Sequence, residues 1–304
     1  MGCNKPLQAT FCKESKSLKF SHSKHLLFNE YGYNTKQLKA IDNQYTPIPC
    51  GQCMGCRIDY ARAWAVRIVH EAEMHEQNSY ITLTYANEHV PKDGSLNKKH
   101  YQDFLKRYRK WLDGKKISYF VAGEYGDQLS RPHYHFIIFG HEFDDKKVFR
   151  KGKKYTEYIS PTLAKLWPYG WHTIGTVTTD SAGYVAKYVT KKIKGANAQD
   201  HYQGRLPEFA EMSRANGIGK AWLQKYHGDV YPSDFVLLNG ERVKKFRTPR
   251  YYDKKYEEMF PDKMLKIKEN REKKLENIEV DKKSLQAKEI NLKKLQTKRG
   301  YETQ

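Results

Sequence analysis

The chain has 304 residues, with 55 Lys or Arg against 35 Asp or Glu and a formal net charge of +20, which is length enough for one large core with appendages. A single-sign field of that size attracts polyanions, so nucleic acid is the first partner it predicts. No apolar run is long enough to span a bilayer and the N-terminus lacks the apolar segment of a signal peptide, so the protein is expected to be soluble and intracellular. The charge is not a property of the tail alone, because residues 263–304 hold thirteen Lys or Arg against seven Asp or Glu, leaving most of the excess elsewhere. Five cysteines, three of them within "CGQCMGC", suit thiolate ligation in a reducing cytosol better than a disulfide framework. The 23 tyrosines are numerous enough to provide stacking faces among the basic residues as well as half-buried core.

In chain order, "RIDYARAWAVRIVHEAEMHEQ" (57–77) has the apolar spacing of a helix with one charged face. "YITLTY" (80–85) alternates as a short strand. Between residues 98 and 112, Tyr101, Phe104, Leu105, Tyr108, Trp111 and Leu112 recur at threes and fours, an amphipathic helix closed by Asp113-Gly114. "ISYFVAGEY" (117–125) and "HYHFIIFG" (133–140) flank the turn-rich "GDQLSRP" and predict a hairpin. "SPTLAKLW" opens with a capping Ser and a Pro at the first helical position, and "WHTIGTV" is a fourth strand. The resulting β-α-β-β-α-β order predicts an α+β fold with a ferredoxin-like antiparallel sheet and two helices on one face, in which the 80–85 strand lies beside the 133–140 strand. Beyond it, "TDSAGYVAKYVTKKIKG" reads as a capped helix, "PEFAEMSRANGIG" and "KAWLQKY" as helical pieces around a glycine-rich bend, and "DFVLLNGERVKKF" as a hairpin. The organisation expected is a basic arm with a Cys cluster (1–56), a globular domain with a C-terminal hairpin extension (57–262), and a charged helical or disordered tail (263–304).

Alternation in "RPHYHFIIFG" puts His133 and His135 on one face with Ile137 and Phe139, and Tyr134, Phe136 and Ile138 on the other. Two neighbouring imidazoles are either core histidines satisfied by carbonyls or ligands of a metal. Glu124, nine residues earlier at the end of the partner strand, can reach the same ion or pair with an Arg or Lys. Two imidazoles and a carboxylate leave positions open for a phosphate oxygen on Mg²⁺ or Mn²⁺. In "SAGYVAKYVTKK", Tyr184, Lys187, Tyr188 and Lys191 form a stripe at i, i+3, i+4 and i+7, and Ala182, Val185, Ala186, Val189 and Ile193 supply a separate apolar side. Either the tyrosines are half-buried anchors, or phenols and amines together serve attack on phosphorus, where ammonium groups and a metal stabilise the developing charge. Cys50, Cys53 and Cys56 are one ligand short of a zinc site; Cys3 is the candidate fourth, with Cys12 or a histidine as alternatives, and buried or free thiols are the other reading.

"PHYHF" resembles the His-hydrophobic-His motif of the HUH endonucleases, "ITLT" their first-strand motif, and "YVAKYVTKK" the two-tyrosine motif of their rolling-circle initiators. "CGQCMGCR", "GEYG", "RPHYH" and "MSRANGIG" in the same order are similar to the replication initiators of microviruses, the gokushovirus-like single-stranded DNA phages, over residues 50–253. The resemblance implies an HUH endonuclease fold, metal ligation by His133, His135 and, from the family's acidic pattern, Glu124, and nucleophiles at Tyr184 and Tyr188. It also implies cleavage of origin DNA through a 5′-phosphotyrosine, release of a 3′-hydroxyl for the host polymerase and helicase, and rejoining of strands in the host bacterial cytoplasm. Lys187 and Lys191 would stabilise charge or position the phosphate. Rival expectations are a relaxase or transposase of the same superfamily and a non-enzymatic single-stranded DNA-binding or packaging protein.

Overall fold

The computed structural model describes residues 3–4, 7–12, 17–20, 33–34, 45–126, 129–152, 155–188, 197–239, 243–275, 279–280 and 282–301. They fall into two units, Met1–Tyr60 with Tyr256–Gln304, and Ala61–Lys255. In the first, β1 (Leu7–Cys12), β2 (Ser17–Phe20) and β4 (Tyr45–Ile48) form an antiparallel sheet in the order β2-β1-β4, and β3 (Tyr33–Asn34) pairs with Glu279–Val280. Its tail forms helices over Pro261–Leu275 and Lys282–Tyr301. Helix α1 (Met54–Ala72) carries the chain onward. It starts and stops earlier than the 57–77 expected from periodicity, because the Asn78 amide donates to the carbonyls of Ala72 (3.0 Å) and His75 (3.2 Å) and closes the last turn. Among the described residues no helix is long and apolar enough to cross a membrane.

The second unit is built on β5 (Asn78–Tyr85), β6 (Ser118–Tyr125) and β7 (Pro132–Phe139), joined by β8 (Lys147–Lys151), β9 (Thr156–Ile159), β10 (Gly170–Gly175) and β11 (Phe209–Met212). All seven pair antiparallel in the order β11-β6-β7-β5-β10-β9-β8. The inner four strands have the ferredoxin-like order, with β5 beside β7 as expected. Two features depart from the sequence reading. The β8–β9 hairpin extends one edge, and Phe209–Met212, read as helical, is a strand on the other edge, where Phe209 and Ala210 alternate between the two faces.

One face of the sheet carries Ile81, Leu83, Tyr85, Val121, Tyr134, Phe136 and Ile138, covered by α2 (Lys98–Trp111) and α3 (Pro161–Leu166). Both helices start as their sequences specify: Asn97 accepts from the Lys99 N–H, and Ser160 accepts from the Leu163 N–H ahead of Pro161. The other face carries Phe120, Ala122, Ile137 and Phe139, packed against Trp64, Ala65 and Ile68 of α1 and against α4 (Thr179–Tyr188). Strand β10 can approach β5 closely only because residue 170 is glycine; with φ at +154°, a Cβ there would lie 2.3 Å from the Ala86 nitrogen. Helices α5 (Asn197–Tyr202) and α6 (Lys220–Val230) and the hairpin Phe235–Leu238 with Lys244–Arg247 follow in the same unit, the hairpin as expected around residue 239.

Phe136 is fully buried among the α2 aromatics, with its ring 5.2 Å from Phe104, whereas Phe149 on β8 is 60% exposed. Phe136→Ala should cost about 3–5 kcal/mol in denaturant unfolding, and Phe149→Ala should stay within about 0.5 kcal/mol of wild type. Equal losses for the two would contradict this packing.

Candidate metal and tyrosine site

The β6–β7 register sets Glu124 directly opposite His133, and His135 follows two residues on, opposite Ala122. All three side chains point to the α4 face, where the ligating atoms lie within 4.8 Å of one another. Both imidazoles converge on one carboxylate oxygen: Glu124 Oε1 is 2.8 Å from His133 Nε2 and 2.9 Å from His135 Nε2. Burial raises the Glu124 pKa, but the hydrogen bonds and charges of His133 and His135 outweigh it and hold the carboxyl well below the usual carboxylate range.

The far side of each ring is fixed as well. His133 Nδ1 lies 2.9 Å from the Arg131 carbonyl, which can only accept, so Nδ1 carries a proton. Nε2 is therefore the nitrogen turned toward the Glu124 carboxylate and the one placed to ligate a cation. His135 Nδ1 meets the Tyr80 hydroxyl at 2.9 Å and the Thr82 hydroxyl at 3.1 Å. Such outer partners orient imidazole ligands and raise their basicity. Two nitrogens and one oxygen, on a partly open face, fit a divalent cation that keeps positions for outside oxygens.

Helix α4 brings the tyrosines over this cluster. Thr178 and Ser181 start it reciprocally, the Thr178 N–H donating to the Ser181 hydroxyl (2.7 Å) and the Ser181 N–H to the Thr178 hydroxyl (3.1 Å). The Tyr188 ring stacks on His135 with centroids 4.6 Å apart and planes 5° from parallel; Tyr184 meets the same imidazole edge-on at 5.8 Å. The two phenols are not equivalent members of an open stripe, which corrects the sequence expectation. Tyr184 is 40% exposed, whereas Tyr188 is 3% exposed and belongs to the apolar core with Val185 and Ala186. Burial, and then the Glu124 charge, push the Tyr188 phenol far above its ordinary value. Lys187 is exposed on the helix. Lys191, Val189 and Ile193 lie outside the described residues.

In the other unit, Cys3, Cys50, Cys53 and Cys56 come together with all four sulfurs within 4.8 Å of one another. The Cys3 and Cys53 sulfurs are 3.8 Å apart, and about 3.8 Å is the edge of a tetrahedron with Zn–S bonds of about 2.3 Å. Backbone N–H groups of Asn4, Cys50 and Cys53 donate to the Cys53, Cys3 and Cys50 sulfurs at 3.2, 3.3 and 3.2 Å. Burial raises the Cys53 thiol, but hydrogen bonds from the Asn4 and Cys56 backbone and with the Cys50 and Cys56 side chains outweigh it and hold the thiol down to about 7, while burial pushes Cys56 up. Cys3 is thus the fourth member of the cluster, the first of the options its sequence left open. The side chain of Cys12, on β1, is outside the described residues.

Three contributors went unread in the sequence: Tyr80 and Thr82, which hold His135, and the Arg131 carbonyl, which holds His133. For Tyr80 and Thr82 the signal was the alternation of "YITLT", which places Tyr80, Thr82 and Thr84 on the histidine face once β5 is set beside β7, whereas a backbone carbonyl such as that of Arg131 leaves none.

A family model described as replication-associated protein ORF2/G2P matches residues 78–193, the stretch that contains Glu124, both histidines and both tyrosines. The chain is 34% identical over 286 residues to "Replication-associated protein ORF2" of Spiroplasma virus 4, covering 90% of this chain and 86% of that protein. It is 35% identical over 251 residues to "Replication-associated protein VP4" of Bdellovibrio phage phiMH2K, covering 78% and 77%. With "Replication-associated protein ORF4" of Chlamydia phage 1 it shares 33% identity over 215 residues, 68% of this chain and 52% of the relative. No solved structure matches the chain.

The unequal burial of the tyrosines has a direct consequence for stability. Tyr188→Ala should lower it by about 3–5 kcal/mol, as loss of a core aromatic does, and Tyr184→Ala by less than about 1 kcal/mol. Thermal or denaturant unfolding of the two variants reads the difference, and similar losses would mean that Tyr188 is not packed as described.

Proposed function

The chain belongs to the family of replication-associated proteins, and from that premise we propose that it initiates rolling-circle replication by nicking and rejoining origin DNA through a tyrosine. The observation that supports this most directly is the convergence of Glu124, His133 and His135 on one point beneath a helix whose two tyrosines both contact His135. A Mg²⁺ or Mn²⁺ ion held by those three side chains would polarise the scissile phosphate as a Lewis acid. Tyr184, open to solvent, attacks phosphorus with its phenolic oxygen. The bond from phosphorus to the 3′ oxygen breaks, and the phenolic proton passes by way of water to that leaving oxygen, giving a 5′-phosphotyrosine and a free 3′-hydroxyl. Lys187, three residues on along the helix, supplies positive charge to the phosphate, and Lys191 has the same role. Rejoining is the reverse attack by a 3′-hydroxyl on the phosphotyrosine. Tyr188 is the second nucleophile, and it acts after turning out of its stack on His135. The setting is the host bacterial cytoplasm, with origin and single-stranded DNA as substrates, the host polymerase extending from the 3′ end and the host helicase unwinding the duplex.

The Cys3, Cys50, Cys53 and Cys56 cluster is proposed to hold a structural Zn²⁺, supported by its sulfur spacing and by the backbone N–H groups directed at three of the sulfurs. Protein purified without chelator should contain about one zinc per chain, as a closed four-thiolate site does. Cys53→Ser should lose that zinc while short-oligonucleotide nicking persists. Metal analysis that finds none would leave four reduced thiols and no site.

Incubation with a labelled origin oligonucleotide and Mn²⁺ should give an adduct that survives boiling in detergent. His135→Ala or chelation should abolish it, while salt-sensitive DNA binding stays within about three-fold of wild type, because binding rests on many Lys and Arg contacts. Nicking by His135→Ala in chelator would remove the metal from the mechanism. Absence of any adduct from wild type would favour the DNA-binding and packaging role.

The two tyrosines should separate in the same assay. Tyr184→Phe should reduce single-round adduct about ten-fold or more, Tyr188→Phe should reduce it less, and the double variant should form none. Both single variants should be poor at producing closed circles, since cleavage and transfer can no longer alternate. An adduct in the double variant would move the nucleophile elsewhere.

A further inference from the structure

The sheet register aligns four residues in one row on the histidine face: Glu124 on β6 opposite His133 on β7, His133 opposite Thr84 on β5, and Thr84 opposite Trp171 on β10. Paired residues share a face, and adjacent strands lie about 4.8 Å apart, so Trp171 stands about 10 Å from His133 on the same side of the sheet. The indole is 58% exposed, although Ile174, on the opposite face of the same strand, is buried. Among the described residues, neither apolar cluster of the sheet includes this indole, although it stands in a row with Glu124 and His133.

Its neighbour is a cation held in place. The Arg131 guanidinium carbon lies 5.9 Å from the Trp171 ring centroid. Nη1 of Arg131 donates to the Tyr85 carbonyl at 2.8 Å and Nη2 to the Asn87 side-chain oxygen at 2.5 Å. The carbonyl of this same residue accepts from His133 Nδ1. Arg131 therefore ties the orientation of a metal-triad imidazole to the placement of a positive charge beside an open aromatic face.

We infer that Trp171 and Arg131 form a stacking platform for one unpaired nucleobase of the strand being cut, adjacent to the scissile phosphate. The inference rests on the proposed nicking reading and adds where the flanking strand lies. An indole face accepts any base that has left the duplex stack, and a guanidinium beside it neutralises the phosphate of that nucleotide. The chain's charge of +20 supplies the long-range attraction, and the platform supplies the register of the strand over Glu124, His133 and His135.

The test is the affinity of the full chain for a single-stranded origin oligonucleotide, measured by fluorescence anisotropy, and for copies with one abasic nucleotide at each position near the nick. Wild type should lose about ten-fold in affinity at one abasic position. Trp171→Ala should bind the intact strand about ten-fold more weakly and show no added loss at that position, whereas Trp171→Phe should keep most of the affinity. Trp171→Thr, a strand-forming replacement, should behave as Trp171→Ala and guards against a folding defect. Affinity should fall with salt equally steeply in wild type and Trp171→Ala, since stacking releases no counterions, and Arg131→Gln should reduce that slope by about one. Wild-type affinity in Trp171→Ala and Trp171→Thr, or an abasic loss of the same size in wild type and variants, overturns the platform and leaves adduct formation untouched. Tight binding with the abasic signature but no adduct supports the platform and overturns the nicking reading. No binding of the single strand by wild type overturns both.

Discussion

The antiparallel register between β6 and β7 is the constraint on which the rest of the site depends. Eight residue pairs, from Ser118 opposite Phe139 to Tyr125 opposite Pro132, fix Glu124 against His133. Because side chains alternate strictly, a slip of one residue would turn both histidines into the aromatic layer under α2 and bring Tyr134 and Phe136 out toward α4. That slip is opposed from both sides. Tyr134, Phe136 and Ile138 are fully buried with Phe104 and Trp167 on one face, and Ile137 and Phe139 are fully buried against α1 and α4 on the other. Hydrophobic packing on two faces thus sets the position of three polar side chains to within hydrogen-bond distance.

Setting a carboxylate in that environment carries a desolvation penalty, and the structure meets it with partners rather than with water. Glu124 is 3% exposed and His135 is 4% exposed. The cluster is closed above by the Tyr188 ring and held from behind by Tyr80, Thr82 and the Arg131 carbonyl. Glu124, His135 and Tyr188 are buried, while Tyr184 and Trp171 are exposed. A low-dielectric wall on one side strengthens the attraction between the three ligands and a cation, and the open side leaves space for a phosphate.

Much of this was legible from residues alone, because it is carried by periodicities that survive folding. The order of the central strands, the α2 helix and the shared face of His133 and His135 follow from spacings of two, three and four, and the start of α3 from its Ser-Pro pair. The edges were not legible. Lys147–Lys151 is exposed along its whole length and has no alternation, so it gives no strand signal, and Phe209–Met212 is too short to declare a period. The difference between the tyrosines was hidden for another reason. Positions i and i+4 differ by only about 40° around a helix, so a sequence stripe shows them as equals. Which of the two is buried depends on where the twisted sheet passes beneath the helix, and that is set by tertiary packing.

That difference in burial gives the proposed two-tyrosine chemistry a direction. Tyr184 and Tyr188 are one turn apart, about 6 Å along the axis, so both can reach a phosphate near His135. They start from unlike states. An attack by Tyr184 leaves the Tyr188 ring covering His135 and leaves the core under α4 intact. An attack by Tyr188 requires its ring to leave that stack, which uncovers the imidazole and opens an apolar contact. In that proposal the two transesterifications would be unequal in free energy even though their chemistry is the same. A strand already joined to Tyr184, with its neighbouring base held on Trp171, would itself occupy the open flank. The second tyrosine then enters a site whose entrance is filled by DNA, where water that could hydrolyse the first linkage is excluded. In this arrangement the order of the nucleophiles follows from the unequal packing of one helix on one sheet.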